Sequence, residues 1–134
     1  MISLEDGKKL IKLARKTVLS ALKSSDFPVD NSVKKMFSEK QGVFVTLHLN
    51  RQLRGCIGFP TQAYPLWEAV QRAAVAAAFD DPRFHPLSEA EFDSLSFEVS
   101  VLTVPEEIRA APEDIPKHVQ ILSLIHISEP TRPY

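Results

Sequence analysis

The sequence predicts an α+β domain in which a sheet containing a β-hairpin is flanked by helices, and three observations predict it. Two stretches carry apolar residues at helical spacing. The run "GVFVTLHLNRQLRGCIGF" (Gly42–Phe59) alternates as two strands around a short polar loop, and "LSFEVSVLT" (Leu95–Thr103) alternates as a third. With 134 residues, 44% hydrophobic and 25% charged, the chain has room for one core and one domain.

The first element is a helix over "SLEDGKKLIKLARKTVLSAL". Leu4, Leu10, Ile11, Ala14, Val18 and Leu22 recur near one face, and Ser3 and Asp6 are spaced as a capping box. Lys8, Lys9, Lys12, Arg15, Lys16 and Lys23 form its solvated side. "FPVDNS" is a linker, and the hairpin follows with its loop at Asn50 to Gln52. "YPLWEAVQRAAVAAAF" is a second helix, with Pro65 suited to a first turn and small residues at Ala73, Ala74 and Ala77 that permit close packing on a sheet. It stops at "DDPR". Ser88 and Glu91 cap a short turn or helix at "SEAEFD", and the third strand buries Leu95, Phe97, Val99 and Val101. "VPEEIRAAPEDIPKH" (Val104–His118) has the composition of a loop.

"LSLIHISEPTR" (Leu122–Arg132) resembles, without a mismatch, the in-frame translation of a widely used transposase sequencing adapter. Residues 122–134 are therefore set aside as a tail, with His126 among them, and residues 1–121 are taken as the domain.

Composition narrows the function. A net charge of -1 argues against a large phosphate-binding surface and makes nucleic acid an unlikely partner. No apolar run approaches the roughly 18–20 residues of a membrane span, and the first residues lack the order of a secretory signal, so a cytoplasmic location is expected. One cysteine excludes an internal disulfide and a cysteine-rich zinc site, leaving Cys56 as a free thiol.

That thiol lies in "LRGCIG" (Leu53–Gly58), where two glycines interrupt a strand pattern and leave room for close approach to the backbone. If the hairpin turns through three residues, Leu49 faces Leu53, Leu47 faces Gly55 and Val45 faces Ile57 on one apolar side. Thr46, His48, Arg54 and Cys56 then share the other side as a polar patch. A cation such as Arg54 or a protonated His48 beside the sulfur favours the nucleophilic thiolate. The competing account is that Cys56 is a small packed residue and that Arg54 and His48 line the wet face of a hairpin. Asp81, His85 and His48 are conceivable metal ligands, but their spacing in a proline-containing loop is ordinary turn chemistry, and no metal site is expected.

"GVFVTLHLNRQLRGCIGF" together with "PLWEAVQRAAVAAAFDDPRFHPLSEAEFDSLSFEVSVLT" resembles the AMMECR domain family, whose prokaryotic members are called AmmeMemoRadiSam system protein A. The resemblance covers about Leu4 to Pro105, with "LRGCIG" and "AAFDDPRFHPL" as its specific motifs. It implies an α+β domain with a smaller second lobe. It also implies that residues 1–121 are a partial domain, incomplete at the C-terminus, and that Memo-like and radical-SAM proteins are partners. "LRGCIG" and the Asp80–Phe84 loop would rim a pocket for a small-molecule ligand.

Two functions follow as expectations. One is a thiol-dependent enzyme or enzyme component, with Cys56 as nucleophile or redox thiol, His48 as base, and Arg54 and Arg83 binding an anion, Asp81 standing with them at the rim. The other is a non-catalytic binding or regulatory module, in which Gly55 and Gly58 let a partner's backbone reach the strand edge. Neither assigns a cofactor.

Overall fold

The structure is a computed structural model, and it describes residues 3–103 and 123–128, the last six as backbone. Among the described residues eight elements follow in order: α1 (Leu4–Leu22), α2 (Asn31–Met36), β1 (Gly42–Leu49), β2 (Gln52–Phe59), α3 (Leu66–Phe79), α4 (Glu89–Phe92), β3 (Leu95–Thr103) and β4 (Ser123–Ser128). The strands form one antiparallel sheet in the order β2-β1-β3-β4, so the chain is α+β as its patterning predicts.

Helix α1 begins where the Ser3 hydroxyl accepts the Asp6 amide at 3.1 Å. Leu10, Ile11, Leu13, Ala14 and Val18 bury its inner stripe, whereas Leu4, expected on that stripe, stands at the first helical position and is 69% exposed. Helix α3 starts after Pro65 and ends at Asp80, and Ala73, Ala74 and Ala77 are buried as their size suggested. Ser88 and Glu91 close the capping box of α4. Helices α1 and α3 pack on each other and on the face of the sheet that carries Val43, Val45, Leu47, Leu95, Phe97, Val99 and Val101. Arg15 of α1 lies over the Phe97 and Phe92 rings and donates to the Leu95 carbonyl at 3.0 Å, which fastens α1 across β3.

Three further features bear on the expectations. Helix α2 occupies part of the supposed linker; with six residues and no side-chain cap it has too short a period to show in the sequence. Ser123–Ser128, set aside as tail, pairs with β3 from Thr103↔Ser123 to Glu98↔Ser128 and covers the outer edge of that strand. The third is the hairpin. It turns through two residues, Asn50 and Arg51, at φ of 51° and 69°, so Leu49 pairs with Gln52 instead of Leu53. The expected register holds from Val43↔Phe59 to Leu47↔Gly55, and a bulge at Arg54 absorbs the difference. The loop expected over Val104–His118 lies outside the described residues.

Candidate functional site

The bulge decides where the polar residues of "LRGCIG" go. His48 pairs with Leu53, and Arg54 and Gly55 are consecutive buried residues. Arg54 therefore leaves the patch it was expected to share with Cys56. Its Nε and Nη2 grip both oxygens of Glu91, at 2.9 and 3.1 Å, and Nη2 also donates to the His85 carbonyl at 2.9 Å. This fork of two parallel charge-assisted bonds holds the Glu91 carboxyl down at about 2, with the Ser88 amide assisting. Arg54 thus ties β2 to α4 and is not the cation beside the thiol.

The two glycines also serve the fold. A Cβ on Gly55 would overlap the Ala77 carbonyl oxygen, so the close approach is made by the last turn of α3. A Cβ on Gly58 would overlap the Val43 carbonyl oxygen and the Phe44 ring of β1. What comes near the backbone around Cys56 is the protein itself.

Cys56 remains on the sheet face opposite α1 and α3, half-buried and opposite Thr46, whose Oγ1 is 3.2 Å from its Sγ. Thr46 pairs on its other side with Glu98, so thiol, hydroxyl and carboxylate occupy one row across β2, β1 and β3. His48 is two residues along β1 on the same face, level with Ser96. The expected grouping of Thr46 and Cys56 is found; Arg54 is not part of it.

The outward edge of β2 is closed at Cys56 by the loop after α3. The Cys56 N–H donates to Asp81 Oδ2 at 3.0 Å, and Arg83 Nη2 reaches the Cys56 carbonyl at 3.5 Å. Asp81 is buried and its carboxylate is fully engaged, because Oδ1 accepts from the Arg83 amide and Nε, both at 3.0 Å, and Oδ2 from Arg83 Nη2 at 2.8 Å. The Arg83 guanidinium first, and the Cys56 amide second, hold its carboxyl well below the usual carboxylate range. Arg83 itself stays 55% exposed. A cation with its orientation set by Asp81 but open to solvent therefore stands next to the Cys56 backbone.

Asp81 and His85 are apart in purpose as well: the His85 ring is exposed and 3.7 Å from Glu91. Among the described residues no three His, Cys, Asp or Glu side chains gather to hold a metal ion, and no helix is long and apolar enough to cross a membrane. Glu91 is the partner that the sequence concealed, since its spacing from Ser88 already explained it as a cap.

Comparison with known proteins places these residues among relatives. The chain is 46% identical over 122 residues to a protein of Thermoplasma acidophilum, covering 90% of this chain and 59% of that one. It is 40% identical over 118 residues to a protein of Aquifex aeolicus, covering 87% and 60%. The crystal structure of an uncharacterized protein from Pyrococcus horikoshii superposes with a TM-score of 0.68 at 41% identity, over 81% of this chain and 59% of that one. The chain thus spans about three-fifths of the length of these relatives. The family model described as AMMECR1 matches residues 11–124.

Proposed function

The chain belongs to the AMMECR1 family, and from that premise we propose that the Cys56 face of its sheet is a thiol-dependent site for a small anionic substrate. The observation that carries the reading is the Arg83 guanidinium, oriented by Asp81 and exposed beside Cys56. Arg83 would draw in a carboxylate or phosphate, Cys56 Sγ would be the nucleophile, and the Thr46 hydroxyl is close enough to share the thiol proton. His48, further along the same face, is the candidate base. The reading extends to work alongside Memo-like and radical-SAM proteins, which the resemblance of "LRGCIG" and "AAFDDPRFHPL" implies.

The test compares alkylation of the folded chain by iodoacetate and by its uncharged counterpart iodoacetamide. A steering cation predicts that Cys56 reacts faster with iodoacetate than an unstructured cysteine does, relative to iodoacetamide, and that Arg83→Gln removes this preference. A thiol that reacts with neither reagent until denaturant is added would rule the reading out.

The second reading is a non-catalytic binding module, and it loses the strand-edge route through the glycines, because Gly55 and Gly58 are packed against Ala77 and β1 and Asp81 takes the Cys56 amide. It predicts that capture of the Memo-like or radical-SAM partner survives Cys56→Ser. Because Asp81 and Arg83 occupy the β2 edge at Cys56, such a partner would dock on the sheet face and not on that edge.

A further inference from the structure

Helix α1 and the segment from Phe27 to Met36 enclose a groove of about 340 Å³. Its chemistry is divided. Leu13, Val33 and Met36 supply an apolar floor, of which Met36 is 46% exposed. One rim consists of Lys9, Lys12 and Lys16, which recur at three- and four-residue spacing and so stand in a row along α1. Asp30 is the acidic side chain on the other wall. Lys9 Nζ reaches across to Met36 Sδ at 4.0 Å, and among the described residues neither Lys12 nor Lys16 has an ion pair. The surrounding stretch, residues 3–40, holds nine basic and five acidic side chains, so the local field is positive although the whole chain is near neutral.

We propose that this groove binds a small organic anion with an apolar body, such as an aryl or short acyl group ending in a carboxylate, sulfonate or phosphate. The body would cover Met36 and Val33, and the charged end would sit among the three ammonium groups, whose mutual repulsion it relieves. The volume is at the lower end of the roughly 300–1,000 Å³ common for small-molecule sites, and an apolar lining with a few placed charges is their usual character. A nucleic-acid backbone would meet the lysines but leave the apolar floor unused. This site is separate from Cys56 and does not depend on the reading of that residue.

The probes are 1-anilinonaphthalene-8-sulfonate and its uncharged counterpart N-phenyl-1-naphthylamine, titrated into the full chain by fluorescence while amide chemical shifts are followed. The anionic probe is expected to saturate one site and to shift amides within residues 9–16 and 27–36. Replacing the three exposed lysines together (Lys9→Gln, Lys12→Gln, Lys16→Gln) should weaken it about tenfold, the order expected for loss of two or three solvent-exposed charge contacts, and leave the neutral probe unchanged. Val33→Arg should weaken both. Equal binding of the two probes with no effect of the lysines, or shifts elsewhere on the molecule, would overturn the proposal. Displacement of the probe by a short DNA duplex in a steeply salt-dependent manner would overturn it in favour of a nucleic-acid surface.

Discussion

The Asp81 carboxylate accepts the Cys56 amide at 3.0 Å, joining residues 25 positions apart and fastening the loop after α3 to the edge of β2. Its other hydrogen bonds come from Arg83, so one buried acid both seals the strand edge and aims the exposed guanidinium. Asp81→Asn keeps the shape but supplies a donor where an acceptor is needed. It should cost about 1–3 kcal/mol in urea unfolding and also abolish the preference of Cys56 for iodoacetate.

Acid should weaken the fold within a defined window. Glu91 is lowered from 4.5 to about 2 by Arg54, and Asp81 is lowered by Arg83. A carboxyl whose folded value is depressed stabilises the protein fully above its unfolded value, and the contribution is lost as pH falls through the folded one. The urea midpoint should therefore hold steady from pH 7 to 5 and fall between about 4.5 and 2. Glu91→Gln should lower the midpoint at pH 7 and flatten the acid limb.

Arg54→Met leaves Glu91 without its cation in a largely buried setting, and should cost about 3 kcal/mol. The double variant Arg54→Met, Glu91→Leu should recover more than half of that, because it removes both charges together. Recovery stays incomplete, since Glu91 also accepts the Ser88 amide at 3.1 Å. Additive losses in the double-mutant cycle would show that the pair is not coupled.

Gly55→Ala should cost at least about 2 kcal/mol by pushing β2 away from the Ala77 carbonyl of α3. The same substitution also separates two roles for this glycine. If stability is unchanged while capture of a partner protein is lost, the position serves a partner and α3 does not seat against it.

Arg51→Gly should raise stability by about 1 kcal/mol. Arg51 is held at φ 69° as the second residue of a two-residue turn, a conformation that glycine adopts without the strain of a Cβ, and Asn-Gly is the favoured pair there. A lower thermal midpoint for this variant would mean that the arginine side chain has a contact worth more than the strain.

Much of the fold is legible because each long element repeats its own period. Leu10, Ala14 and Val18 mark α1, Val43, Val45 and Leu47 mark β1, and Phe97, Val99 and Val101 mark β3, all of them fully buried. The alanines of α3 announce close packing, and Gly55 turns out to be where the backbone of one of them, Ala77, approaches the sheet. The site is less legible for one reason: a turn shorter by one residue forces a bulge, and the bulge moves Arg54 off the Cys56 face. Alternation alone does not reveal a bulge, and a buried arginine is recognised only through its partner. Glu91 lies 37 residues away and already has a local explanation as a cap. Likewise Asp81 and Arg83 look like turn residues until the strand edge they close is in place.

The strand order β2-β1-β3-β4 also sets an order of assembly. Strands β1 and β2 are joined by two residues, whereas pairing Leu49 with Leu95 closes a span that contains β2, α3 and α4. The chain entropy of that second closure exceeds that of the hairpin by on the order of 3 kcal/mol, so the hairpin is expected to zip on the microsecond scale and wait for α3 to present the surface on which β3 docks. Substitutions such as Val45→Ala should then slow refolding, and Val101→Ala should chiefly speed unfolding, a division that stopped-flow measurements on the two variants would display directly.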